Sequence, residues 1–251
     1  MRVWILTVGG FDAVVGQLTP GDGSGRRMDI PVYAYLIDLG HDLLLFDTGC
    51  SARLAAHPEE ILGDEASSLR PLLDADSHIT RQLERLGFGV GDVGVVVNSH
   101  LHFDHGGAND CFAGAEFWIQ RAEWQATAQH PGHYPDPGYR PPAASAVRWL
   151  EGDHDVAPGV RLLYTPGHTP GHQSLWVELE QGPPLLFCGD AVYTAAHFDP
   201  DHLGAAVDKA QAAESVRRLI RLAAEGARPF FSHDPDQARR EGWRLAPFFY
   251  R

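Results

Sequence analysis

Short apolar runs separated by Gly, Pro and Asp organise this chain. Val3 to Val8 is the first strand the pattern predicts, and the run is too short for the core of a signal sequence. Gln17 to Asp29, with Pro20, Gly21, Gly23, Ser24 and Gly25, reads as a loop. Pro31 to Asp38 and Asp42 to Asp47 are β-rich, and Gly40-His41 between them predicts a hairpin. Ile79, Leu83 and Leu86 stand at helical spacing and predict a helix over Ser77 to Leu86. Further strands are predicted over Val93 to Asn98, Glu116 to Ile119, Val160 to Tyr164, Gln173 to Leu179, Leu185 to Cys188 and Pro229 to Phe231. Helices are predicted over Arg121 to Ala128 and Ala205 to Ala224, the second with an apolar face at Val207, Val216, Leu219, Ile220 and Ala223. Gln129 to Pro142, rich in Pro, Gly and Tyr, predicts a long irregular segment.

One regularity in this pattern bears on chemistry. His100, His168, Asp190 and His233 each follow a short apolar run. Side chains at strand ends share one rim of a sheet, so these four can converge. Strands followed by a helix, repeated in two halves, predict two sheets packed together with helices outside. No linker, repeat or low-complexity tract interrupts the 251 residues, which points to a single domain over 1–251.

Composition narrows the function classes. Hydrophobic residues make up 44% and charged residues 21%, which argues against disorder. A formal net charge of -13 repels phosphate backbones and excludes nucleic acid as an expected partner. No apolar stretch approaches the roughly 18 residues of a membrane span, so no membrane partner is expected. The cysteines, Cys50, Cys111 and Cys188, are odd in number and lack Cys-x-x-Cys spacing. They suit a reducing compartment, and a cytoplasmic location is expected.

The densest chemical signal is Ser99-His100-Leu101-His102-Phe103-Asp104-His105-Gly106-Gly107. His100 and His102, two apart, can clasp one cation, while Asp104 and His105 can serve a second. Nitrogen and carboxylate donors suit zinc, and also iron, manganese or cobalt. Gly106-Gly107 lets the backbone turn closely behind these donors into a helix. Alone, the His168 loop, the Asp190 strand end and the His233 strand end would each read as ordinary turns or packed residues. In this order, after the His-rich loop, they make a specific pattern.

That pattern, His-x-His-x-Asp-His followed by His, Asp and His, resembles the metallo-β-lactamase superfamily from Phe46-Asp47-Thr48-Gly49 to His233. The resemblance implies an α/β (α+β) fold, an αββα sandwich of two mixed β-sheets packed face to face. It implies two divalent ions, with zinc first in expectation. His100, His102 and His168 would hold the first, Asp104, His105 and His233 the second, and Asp190 would bridge them. Asp47 would orient the ligand loop. Within the superfamily the chain is similar to N-acyl homoserine lactone lactonases and 4-pyridoxolactonases. This rests on Ile30-Pro31-Val32, the His-rich loop, Pro166 to Ser174, Asp190-Ala191-Val192-Tyr193 and His233-Asp234.

The implied activity is opening of a lactone ring by a hydroxide held between two metals. Tyr193 would assist the carbonyl, and Asp104 or Asp190 would return the proton. A homodimer is one implied assembly. The Leu18–Asp29 loop, Phe103 and the Tyr134–Tyr139 segment would wall the acyl chain. His172 is expected to make a structural hydrogen bond, and the remaining histidines, His197 among them, to lie on the surface or in loops. The same donor pattern also admits another lactone or ester hydrolase, a thioester hydrolase, a β-lactamase and a non-enzymatic metal-binding protein. The short tail after His233 leaves no room for a thioesterase's helical domain, and His105 departs from the usual β-lactamase pattern.

Overall fold

Glycines inside the N-terminal strand bend it instead of ending it. In the computed structural model, which describes residues 1–19 and 21–251, β1 (Arg2–Val14) continues well past Val8. Its pairing with β2 (Arg27–Asp38) slips register between Thr7 and Gly10, a bulge at the Gly9-Gly10 pair. Gly9 has a φ of 115°, and a Cβ on Gly10 would stand 2.4 Å from the Ile30 carbonyl oxygen. These glycines look like a stop in sequence and act as a bend in the fold. The rest of the first half is β3 (Leu43–Phe46), α1 (Ala52–Ala56), α2 (Pro58–Leu62), β4 (Leu69–Pro71), α3 (Ile79–Arg85), β5 (Val93–Val97), β6 (Glu116–Gln120), α4 (Arg121–Gln129) and β7 (Val147–Leu150). The second half holds β8 (His154–Ala157), β9 (Val160–Tyr164), β10 (Gln173–Val177), β11 (Leu185–Phe187), α5 (Lys209–Ala224), β12 (Arg228–Phe230) and α6 (Gln237–Glu241).

The strands form two mixed sheets. The first runs β4-β1-β2-β3-β5-β6-β7, antiparallel as far as β3 and parallel from β3 onward. The second runs β12-β11-β10-β9-β8, with β11 and β12 parallel and the rest antiparallel. Their inner faces meet in one apolar layer. Tyr35, Phe46 and Val97 of the first sheet pack with Leu175, Phe187 and Phe230 of the second. The Tyr35 and Phe187 ring centroids are 4.1 Å apart. Leu54, Ile61, Leu83 and Ala126 bury helices α1 to α4 against the outer face of the first sheet. Val216 and Leu219 of α5 cover the second with Leu163, Leu186 and Phe231. The layers are therefore helix, sheet, sheet, helix, the sandwich the resemblance implies.

Helix α5 begins later than its apolar pattern suggests. Asp208 caps it, its Oδ1 accepting the N–H groups of Ala210 and Gln211 at 2.9 and 3.0 Å. Val207 consequently lies outside the helix, half exposed at 48%, on the wall of a cavity. Behind the His-rich loop, Gly106-Gly107 opens into a short 3-10 turn at Asn109–Cys111 in place of the expected helix. The close approach holds, because a Cβ on Gly107 would meet the Phe103 carbonyl oxygen at 2.1 Å.

Phe187 is fully buried between the sheets. Phe187→Ala should lose about 3–5 kcal/mol through lost burial and the cavity left behind. Urea denaturation should show a lower midpoint with an unchanged slope; an unaltered midpoint would contradict this packing.

Candidate metal centre

Four of the seven candidate donors, and Asp47 behind them, sit just past the end of a strand. Asp47 follows β3, His100 follows β5, His168 comes shortly after β9, Asp190 after β11 and His233 after β12. The strand ends thus deliver all seven predicted donors to one rim of the sandwich. Among the described residues, His100, His102, His168 and Asp190 form one group and Asp104, His105 and His233 another, the donor atoms of each lying within 4.8 Å of one another. Six of the seven are buried, His100 fully so, and His102 is half-buried.

The outward ring nitrogens decide which way the histidines can act. His168 Nδ1 lies 2.9 Å from the Ala205 carbonyl oxygen, and His233 Nδ1 lies 2.9 Å from that of Pro31. A carbonyl only accepts, so each Nδ1 carries the proton and each Nε2 turns a lone pair inward. His105 is held the same way, its Nδ1 donating to Asp47 Oδ2 at 2.9 Å. Asp47 also accepts from the Ser99 N–H and hydroxyl, both at 2.7 Å. It therefore fixes His105 and the start of the His-rich loop together, from a backbone φ of 65°.

Inside the rim the donors crowd. His100 Nε2, His102 Nδ1 and His168 Nε2 lie 3.0, 3.1 and 3.2 Å apart in the three pairings. Three nitrogens on a tetrahedral ion with bonds of about 2.0–2.1 Å stand roughly 3.3 Å apart. Asp190 faces both groups. Its Oδ1 is 3.1 Å from His105 Nε2 and 3.2 Å from His233 Nε2, while its Oδ2 is 3.4 Å from His168 Nε2 and 3.7 Å from His100 Nε2. Asp104 Oδ2 stands 3.6 Å from His233 Nε2 and 3.7 Å from His105 Nε2. Buried His105 Nε2 and Asp190 Oδ1 make no hydrogen bond among the described residues. Buried donors that face one another without partners are what cations would satisfy, so the residues fit a pair of ions.

Electrostatics divides the two groups. Burial, with neighbouring imidazoles, holds His100 and His102 well below the usual histidine range. Burial also acts to lower His105, but Asp190, Asp104 and Asp47 lift it well above that range. Burial likewise opposes protonation of His233, and Asp190 and Asp104 outweigh it. His100 and His102 therefore present neutral lone pairs, while His105 and His233 are set among carboxylates.

The metallo-beta-lactamase superfamily profile matches residues 27–227. This chain belongs to that superfamily. Among its relatives, an N-acyl homoserine lactonase of Bacillus sp is 36% identical over 236 residues, covering 90% of this chain and 89% of the relative. N-acyl homoserine lactonase AttM of Rhizobium radiobacter is 32% identical and covers 100% of this chain and 98% of its own. A solved N-acyl homoserine lactone hydrolase, with N-hexanoyl-L-homoserine at its catalytic metal centre, superposes with a TM-score of 0.88 at 31% identity. That match covers 99% of this chain and 98% of the other.

Not every metallo-β-lactamase feature of this chain was visible in its sequence. Tyr193 lines the cavity beside the donors, as expected, and so do Leu18 and Phe103. Of the Tyr134–Tyr139 segment only Pro135 reaches that cavity. Tyr134 packs its ring 5.4 Å from His102, and both it and Tyr139 are buried in the core. Phe11, Leu69 and Val207 complete the apolar wall instead. Within the Leu18–Asp29 loop, Leu18 alone lines the cavity among the described residues.

Glu123 on α4 escaped notice altogether. Its carboxylate accepts the Leu101 N–H at 3.0 Å, the Gly171 N–H at 3.0 Å and the Tyr134 hydroxyl at 3.1 Å. One buried side chain thus ties the His100–His102 loop, the His168 loop and the Tyr134 segment together. A Cβ on Gly171 would meet the Glu123 nitrogen at 2.2 Å, so glycine permits that approach. His172 makes the structural bond expected of it, Nδ1 to Thr165 Oγ1 at 2.9 Å, and burial pulls it down to about 3. His197, expected at the surface, is only 2% exposed. Burial and then His202 pull it down to about 4, against the opposing charge of Asp234.

Glu123→Ala should strand three donors, at about 1–3 kcal/mol for each one left unpaired. A lowered melting temperature together with weaker retention of the His100–His102–His168 ion against a chelator checks it. The unfolded chain takes up a proton at His197 near pH 6.5, which the folded protein refuses until about 4. The unfolded state therefore binds more protons in that window, and stability falls as pH falls through it. His197→Gln should flatten the slope of stability against pH there by about one proton, some 1.4 kcal/mol per pH unit. An identical slope in denaturation series of the two proteins would remove His197 from that account.

Proposed function

We propose that this chain is an N-acyl homoserine lactonase that works with two divalent ions, zinc by preference, within a single domain over residues 1–251. The carrying observation is the pair of donor groups with Asp190 facing both, at the floor of a cavity of about 370 Å³. His100, His102 and His168 would hold one ion, Asp104, His105 and His233 the other, and Asp190 would bridge. Phe11, Leu18, Ile30, Leu69 and Phe103 line the same cavity and suit an apolar acyl chain. The full-length similarity to N-acyl homoserine lactonases supports the substrate class. The free cysteines suit the cytoplasm, and among the described residues no helix is long and apolar enough to cross a membrane.

When bound, the ions would supply a nucleophilic water at neutral pH and positive charge for the carbonyl oxygen. The chain's own residues do the rest. Tyr193 Oη lies 3.3 Å from His168 Nδ1, which already donates to Ala205. A protonated Nδ1 has no lone pair to accept with, so the phenol proton stays free for the cavity. Burial, and then Asp190 and Asp104, push the Tyr193 pKa well above its ordinary value, which keeps that proton in place. The hydroxyl is thereby a standing donor to a carbonyl oxygen that gains charge. Both Asp190 oxygens face histidines, whereas the Asp104 side chain is 12% exposed toward the cavity. Asp104 is accordingly the carboxylate placed to take the proton that the attacking water gives up and to return it to the ring oxygen as the ester bond breaks.

Tyr193→Phe should cut kcat for lactone opening about ten- to a hundredfold, less than a lone oxyanion donor because the ions share the task. Metal content and melting temperature should stay near those of the parent. Asp190→Asn should lose both ions by elemental analysis. A preference for nitrocefin or lactoylglutathione over N-acyl homoserine lactones in a pH-stat comparison would overturn the substrate reading.

A further inference from the structure

The geometry points to His197 as a positioning residue that pins the loop between β1 and β2 against the Tyr193 segment, and so sets the outer wall of the acyl-chain cavity. This rests on the lactonase reading for its substrate. His197 ends a 3-10 turn at Ala195–His197, four residues beyond Tyr193. Its ring is buried between two threonines. Nδ1 lies 3.0 Å from Thr194 Oγ1, and Nε2 lies 3.1 Å from Thr19 Oγ1. A neutral imidazole offers one donor and one acceptor, and a hydroxyl can take either part, so the bridge is complete in both tautomers. Thr194 adjoins Tyr193 in the chain, and the His197 ring meets the Tyr193 ring edge-on at 5.8 Å.

Thr19 stands at the other end of this bridge, on a loop that is otherwise bonded largely to itself and its own half. Leu18 and Thr19 donate to the Val15 carbonyl, Val15 donates to the Arg26 carbonyl, and Gln17 Nε2 donates to Ser68 Oγ. Among the described residues, the side-chain bond carrying the loop to the second half of the chain is Thr19 to His197. Gln17 and Leu18, next to Thr19, are the loop residues that line the cavity. A third observation places the two walls in register. A Cβ on Gly204 would meet the Tyr193 ring at 2.6 Å and the Leu18 carbonyl oxygen at 3.4 Å. Gly204 thus lets the loop backbone and the Tyr193 ring close on one point, and His197 holds them there. The bridge touches no donor atom of the metal centre.

Thr19→Val keeps the shape and removes the hydroxyl, and Thr19→Ser restores it. With Thr19→Val, trypsin should cut at Arg26 or Arg27 about two- to tenfold faster, the range one hydrogen bond spans. KM for a long-chain N-acyl homoserine lactone should rise by a similar factor, with kcat changed less than about twofold and metal content the same. Thr19→Ser should return both measurements toward the parent. Unchanged cleavage and KM in folded Thr19→Val would overturn the proposal. So would a fall in kcat at constant KM, which would put the bridge in the chemistry of Tyr193 and not in the wall. If the parent protein opens no lactone, the lactonase reading fails, and the trypsin comparison alone decides the tether.

Discussion

Lone pairs buried face to face govern this rim. Three imidazole nitrogens at 3.0–3.2 Å, with Asp190 within reach of four histidines, repel or stay unsatisfied unless cations or protons come between them. Such an arrangement persists only when each side chain is held from behind. Asp47 holds His105, the Ala205 carbonyl holds His168, the Pro31 carbonyl holds His233, and Glu123 holds the backbone beside His100 and His102. The sandwich is the frame that makes this restraint affordable, because strand ends have little freedom left to lose.

Four of the donors, His100, His168, Asp190 and His233, were legible because each follows an apolar run and strand ends share a rim, and the other three stand in the His-rich loop after His100. The layer order was legible for the same reason: apolar runs and helical spacings alternate in two halves. What stayed hidden has physical causes. Strands β4 and β7 have three and four residues, of which only Leu150 is buried, too few to display a period. The Gly9-Gly10 pair reads as an end in one dimension and as a bulge when β2 lies beside it. Glu123 looks like any helical glutamate until α4 is seen to turn it beneath two loops. His197 looks like a loop residue until Thr19, distant in sequence, is brought to it. Both act through tertiary contacts, for which local pattern carries no trace.

Close approach is the common device of the site's second layer. Gly107, Gly171 and Gly189 each stand where a Cβ would strike a neighbour: the Phe103 carbonyl, the α4 backbone and His172 Nε2. These glycines let loops stack directly on one another, so that a restraint applied to one donor loop is felt by the next. The cost is conformational entropy at each glycine. It is offset by hydrogen bonds that longer loops could not reach.

The spacing of the donors along the chain also sets an order in time. His100, His102, Asp104 and His105 lie within one short loop after β5, and parallel pairing of β5 with β3 and β6 can form it from the first half alone. His168, Asp190 and His233 arrive only when the second sheet, with its own parallel β11–β12 crossover, has docked. Long-range closures of this kind come late in folding. During synthesis the N-terminal half therefore emerges with four donors and no bridge, and a complete centre marks the moment at which the two sheets have met.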